Sequence, residues 1–275
     1  MLEREEYVEQ AYFFRTLAER LPHNEALQHI LAQVRDELLA TTKLPLAIDY
    51  LLTELNHSGM VSLAMARLSH YFTPFQTYIF QEAENERGRF DIRIAVAVLR
   101  YEAKYRADGA TRQGLFLYQF EVLCRNRLHY DHGLQAVASD PIYDELWSKW
   151  ILQLRRKIGM VDFADMVYVV SEHYSQQQAR RGKPENEGDH PTLFGEKEGR
   201  IALANRRKDP LYFFSALQRQ LGYPAVPRHQ KGDNTAELLP QMVRRMERLE
   251  IRLKLLEEEQ RQSGIDLTRF YHSNR

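Results

Sequence analysis

The chain has 275 residues, 44% of them apolar, with 38 Lys and Arg against 38 Asp and Glu and therefore no formal net charge. That size and composition bury one substantial core or two small ones and exclude disorder throughout. The charge balance excludes a global field that would gather polyanions such as nucleic acid or an anionic membrane, so any such binding must come from a local patch.

The start, Met1-Leu2-Glu3-Arg4-Glu5-Glu6, has neither the basic opening nor the apolar stretch of a secretory signal, and the chain is expected to stay where it is made. Val8, Ala11, Phe14 (or Tyr12), Leu17 and Leu21 predict a first amphipathic helix ended by Pro22; Leu27, Ile30, Leu31, Val34 and Leu38 predict a second. Thr41, Thr42 and Pro45 open a third segment running to about His57. Asn56, Ser58 and Gly59 then stop it before a short helix from Met60 to Tyr71. Thr73 followed by Pro74 is an N-cap with proline at the first helical position, for a helix running to Arg87 with Gly88 at its left-handed end. Asp91 caps the next, with an apolar face of Ile92, Ala95, Val96, Leu99 and Ala103; Asp108 and Gly109 turn the chain, and Thr111 begins another.

From Leu115 to Leu128 the pattern is apolar nearly all round, which predicts a central helix surrounded by others. His129 to Gly133 reads as a polar break. Ser139, Asp140 and Pro141 then cap a helix carrying Tyr143, Leu146, Trp147, Trp150, Ile151 and Leu154 and stopped by Gly159. Asp162 to about Arg180 reads as one helix, its length outweighing the β-branched cluster Val167, Val169 and Val170. No run alternates with period two, so no sheet is predicted. After the polar linker 181–193, Ile201 to Arg207 is a weak helical turn. Asp209 with Pro210 caps a helix from Leu211 to Leu221 that Gly222 ends, and Pro224, Pro227 and Arg228 to Thr235 form a second linker. The expected fold is all-α: a multi-helix bundle over 1–180, the linker, an appended helical segment over 194–227 packing on the bundle, a linker over 228–238, a coiled-coil helix over 239–262 and a tail over 263–275.

One internal echo stands out. Tyr12-Phe13-Phe14 with Leu17 and Leu21 matches Tyr212-Phe213-Phe214 with Leu217 and Leu221, spacing for spacing. Three adjacent aromatics cover more than half of a helix circumference, so each helix is expected to be wedged between neighbours in the core rather than to serve as an aromatic docking site.

Residues with chemical potential are few. The single cysteine, Cys124, excludes an internal disulfide, fits a reducing cytoplasm and lies on an apolar helix, where a thiol is an inert small hydrophobe; His129 and His132 follow in the next loop. Glu54 and His57 supply one Glu-x-x-His pair of the kind that ligates metal between facing helices, but the other occurrence, Glu187 with His190, sits in a linker before Pro191. Glu172 and His173 point about 100° apart on a helix and cannot share a ligand. No phosphate loop, nucleophile elbow or zinc-protease motif occurs, so no cofactor is expected, and Glu54 and His57 remain the metal candidates. Basic clusters at Arg155-Arg156-Lys157, at Arg180, Arg181 and Lys183, and at Arg206-Arg207-Lys208 all fall at predicted helix C-termini, where exposed carbonyls favour cations. Asp162 and Asp165 fall at a helix start, where carboxylates are favoured for the converse reason. Nucleic-acid binding through Arg206, Arg207 and Lys208 would weaken steeply with salt.

In the last quarter Leu239, Met242, Met246, Leu249, Leu253 and Leu256 alternate spacings of three and four, an a/d seam of about three heptads or roughly 33 Å. Arg245, Glu250, Arg252 and Glu257 flank it with both signs. Self-association as a dimer or small oligomer is expected, ahead of docking on its own body or pairing with another protein. The stretches Glu3 to Leu17, Phe72 to Glu84, Phe120 to Leu128 and Leu193 to Pro224 together resemble a planctomycete-type family of bacterial helical proteins that also end in a short coiled coil. The resemblance implies no activity and no catalytic residue. The functional expectation is a non-enzymatic cytoplasmic scaffold or interaction protein, with a helical metal enzyme or small-molecule binder using Glu54 and His57 as the rival. The apolar windows Ile94 to Leu99 and Met166 to Val170 are far shorter than the ~20 residues of a membrane span.

Overall fold

The computed structural model describes residues 2–23, 25–85, 90–181 and 191–228; the seam residues Leu239, Met242, Met246, Leu249, Leu253 and Leu256 and linker residues 182–190 lie outside them. Thirteen α-helices and no strand are formed among the described residues. They are α1 Arg4–Arg20, α2 Leu27–Glu37, α3 Leu44–Ser58, α4 Val61–Arg67, α5 Pro74–Glu84, α6 Ile92–Ala107 and α7 Arg112–Arg125. Then follow α8 Tyr130–Ala138, α9 Glu145–Lys157, α10 Phe163–Val169, α11 Glu172–Arg180, α12 Glu196–Asn205 and α13 Pro210–Leu221. The fold is all-α, as expected.

Local rules account for most boundaries. Thr73 and Gln76 form a full capping box at α5, each side chain bonded to the other's backbone N–H. Asp91, Thr111 and Asp209 accept N–H groups at the starts of α6, α7 and α13. Gly59 and Gly222 close α3 and α13 at φ 73° and 68°, a left-handed turn that a side chain would resist.

The core is built round α7. Every residue from Gly114 to Leu123 is buried, including Gln119 and Glu121. Phe116 lies against Trp147, Trp150, Phe163 and Phe194, and Phe120 against Phe163 and Phe214, so rings from α9, α10 and α13 meet over the central helix. On the other side α1 runs along α6. The echoed phenylalanines behave alike: Phe13, Phe14 and Leu17 are buried, as are Phe213, Phe214 and Leu217, but the expectation of three buried rings fails at the tyrosines, Tyr12 being half-buried and Tyr212 exposed, since each helix turns that side of its circumference outward. Residues 194–227 thereby share one hydrophobic core with the helices before them.

Several boundaries differ from expectation. The buried residues of α1 are Glu6, Tyr7, Gln10, Phe13, Phe14, Thr16 and Leu17, whereas Val8 is exposed, because three polar residues are taken into the interior by hydrogen bonds. Residues 129–133 do not form a break: α8 begins at Tyr130, its exposed first turn hiding the period that Leu134 and Val137 continue. Asp144, not Asp140, caps α9, accepting from Trp147 N–H. The segment from 162 to 180 is two helices. Val170 gives its carbonyl to the N–H groups of Leu193 and Phe194, Phe194 receives the N–H of Glu172, and Ser171 starts α11. This bracing by a distant segment overrides the local helical pattern. The weak turn from Ile201 is in fact a helix that begins at Glu196.

Candidate functional site

A cleft of about 770 Å³ lies between the α3–α4 turn, the end of α5 and the start of α8. Ser58, Met60, Tyr78, Glu82, Glu84 and His132 contribute to its walls. That volume is in the range of small-molecule sites, although such sites are mostly apolar and closed. The Glu84 carboxylate is occupied structurally, accepting the N–H groups of Val61 at 2.6 Å and Ser62 at 3.0 Å and so capping α4. Ser58 Oγ is likewise taken up by the Glu54 carbonyl at 2.9 Å.

Beside this cleft stands a carboxylate–imidazole pair. Glu82 Oε2 lies 3.0 Å from His129 Nδ1, and the Tyr78 hydroxyl donates to the His129 carbonyl at 2.9 Å, so α5 holds the residue that precedes α8. Burial and the nearby Glu82 carboxylate raise the Tyr78 phenol above its ordinary value. The carboxylate fixes the orientation of the imidazole, and the His129 side chain is exposed. Glu82 and His129 are 47 residues apart, and nothing in the spacing of either signals the other.

The residues singled out in the sequence are placed as follows. Glu54 is bound to Arg67 at 2.5 Å and His57 is exposed one turn later. Among the described residues no three His, Cys, Asp or Glu side chains come together as a metal-holding group. Glu187 and His190 lie outside the described residues. Cys124 is half-buried on α7, and burial pushes its thiol up to about 12, well away from thiolate chemistry. Arg206 pairs with Asp165 and lies over the Tyr168 ring; the Arg207 N–H goes to Asp162; Lys208 is exposed. Arg155 pairs with Asp131.

What the sequence reading missed is a set of buried polar networks. Arg106 on α6 is held by Glu102 at 2.9 Å and by Asp140, and Gln119 donates to Glu102 at 2.9 Å while accepting from the Tyr143 hydroxyl at 2.9 Å. Glu102 Oε2 is the buried oxygen of this group without a protein partner. A second network ties Tyr223 to Glu121 at 2.8 Å, with Arg125 on the same carboxylate. A third joins Glu6 to the Tyr71 hydroxyl at 2.9 Å and to the Lys43 N–H. One signal existed: Glu102 and Arg106 sit one turn apart on the same face as Leu99 and Ala103, where charge belongs only if paired. No family model matches this chain, and neither a curated protein nor a solved structure is similar to it.

Proposed function

We propose that this protein is a non-enzymatic helical interaction protein that associates with a second copy of itself through the seam Leu239 to Leu256. The observation that carries the reading is the seam: six apolar residues in unbroken alternation of three and four, flanked by charges of both signs that suit interchain pairing. A seam of this length on a single helix leaves an apolar stripe in water unless a partner covers it. The body is compatible with the same reading: Glu121 is taken by Tyr223 and Arg125, one oxygen of Glu102 by Arg106 and Gln119, and Glu54 by Arg67.

The test is the mass of the chain in solution. The full chain is expected at twice the monomer mass or a small multiple of it, and Leu249→Asp with Leu253→Asp is expected to return the monomer. A full chain that is monomeric at micromolar concentration sinks the reading. The metal-enzyme rival is tested on the same sample by elemental analysis: a stoichiometric transition metal lost in Glu54→Ala or His57→Ala would favour it.

A further inference from the structure

The loop between α9 and α10 and the start of α13 are tied together. The Asp162 carboxylate caps α10 and also accepts the backbone N–H of Arg207 at 2.6 Å, while Phe163 packs edge-on against Phe213 at 5.5 Å. The residues flanking these ties are large, apolar and exposed: Met160 at 77%, Val161 at 42%, Leu211 at 45% and Tyr212 at 68%. The loop is not slack. Gly159 takes φ 84°, and the N–H groups of Met160 and Val161 both return to the Lys157 carbonyl, at 3.0 and 3.1 Å, so the turn presents its apolar side chains in a fixed shape.

Cations flank them along the chain. Arg156 and Lys157 end α9 and Arg207 and Lys208 precede α13; all four are exposed and none is in an ion pair among the described residues. The opposing groups are Asp162, engaged by backbone N–H groups, Asp165, paired with Arg206, and Asp209, which caps Leu211. Five cations face three carboxylates, a surplus of positive charge on a chain with no net charge.

We propose that this patch is a docking surface for an anionic lipid membrane, with Met160, Val161, Leu211 and Tyr212 entering the interface and Arg156, Lys157, Arg207 and Lys208 meeting the headgroups. Charge complementarity selects the occupant: exposed apolar side chains flanked by unpaired cations suit a headgroup layer over hydrocarbon, with a tyrosine at the boundary, whereas a partner helix needs a groove. No helix among the described residues is long and apolar enough to cross a membrane, so the contact is peripheral.

Co-sedimentation of the full chain with vesicles tests this. With phosphatidylcholine vesicles carrying about 30% phosphatidylserine the chain is expected to bind, more weakly as salt rises, and with pure phosphatidylcholine to remain free. Met160→Ser with Tyr212→Ser is expected to lower affinity about tenfold. Arg207→Glu with Lys208→Glu is expected to lower it more than about twentyfold, each cation near such a surface being worth roughly fivefold. All four positions are exposed, and circular dichroism confirms that each variant is folded. Equal binding to both vesicle types, binding to neither, or indifference to Met160→Ser with Tyr212→Ser overturns the proposal. An oligonucleotide bound by a chain that ignores vesicles, and released by Arg207→Glu with Lys208→Glu alone, overturns it in favour of nucleic acid.

Discussion

The Arg106 guanidinium reaches Asp140 from 34 residues away, Nη1 lying 3.4 Å from Oδ1 with Nη2 closer still on Oδ2, and the contact pins the turn between α8 and α9 to α6. Both side chains are almost wholly removed from water, as is Glu102 on the other side of the guanidinium. A buried charge left without its partner keeps its full desolvation cost, so Arg106→Met, which strands the Glu102 and Asp140 carboxylates, is expected to lower stability by about 3–5 kcal/mol. Replacing Glu102, Arg106 and Asp140 together by leucine or methionine is expected to recover most of that loss, because no unpaired charge is then left at this site. Urea unfolding midpoints measure both; a loss below about 1 kcal/mol for Arg106→Met would show that the network does not hold the fold.

Tyr223 places the end of the described chain on the central helix. Its hydroxyl lies 2.8 Å from Glu121 Oε2 and 3.0 Å from the Phe214 carbonyl, and the Asn126 side chain donates to the Pro227 carbonyl at 3.1 Å. Tyr223→Phe keeps the ring and strips a buried carboxylate of one donor, an expected loss of about 1.5–3 kcal/mol. Hydrogen exchange is expected to rise first in α13, which that bond fastens, and an unchanged exchange pattern would count against the anchoring role.

How much of this was legible depends on the range of the cause. The capping box of Thr73 and Gln76, the left-handed Gly59 and Gly222 and the buried faces of the two Tyr-Phe-Phe helices follow from residues within a turn or two of each other. The break at Val170 does not, because the N–H groups that seize its carbonyl come from Leu193 and Phe194 across a linker. Asp140 reads locally as a cap before Pro141; only the fold brings Arg106 to it. The Glu82–His129 pair and the patch round Met160 and Tyr212 are likewise products of packing, and the basic cluster at 206–208 carried half of the latter signal without the apolar half.

Cys124 and the buried phenols give the protein an alkaline limit. Burial raises the thiol from its ordinary 9.0 to about 12 and raises the Tyr71, Tyr78 and Tyr223 phenols too, so the folded state holds these protons more tightly than the unfolded one. The stability involved is fully present below pH 9.0 and falls as pH rises from there toward about 12, since ionisation then favours unfolding. The same shift predicts that a thiol reagent at pH 8 modifies Cys124 about three orders of magnitude more slowly in the folded chain than in urea. Comparable rates in the two states would mean that the thiol is open to solvent.

Gly199 tests the junction between α11 and α12. Glycine inside a helix is normally improved by alanine, by up to about 1 kcal/mol. Here a Cβ would fall against Ser171 Oγ and within 2.7 Å of both Ser171 Cβ and His173 Cβ, and neither can retreat easily. Ser171 is buried, donating to the Tyr168 carbonyl at 2.6 Å while capping α11, and the His173 Cβ belongs to the first turn of that helix. Gly199→Ala is therefore expected to destabilise by about 1–3 kcal/mol rather than to stabilise. The Ser171→Gly background separates the causes: it removes two of the three contacts, so adding Gly199→Ala there should lose less than adding it to the native chain, a positive coupling that a thermodynamic cycle reads directly. Equal losses in the two backgrounds would place the strain elsewhere than at the Ser171 contact.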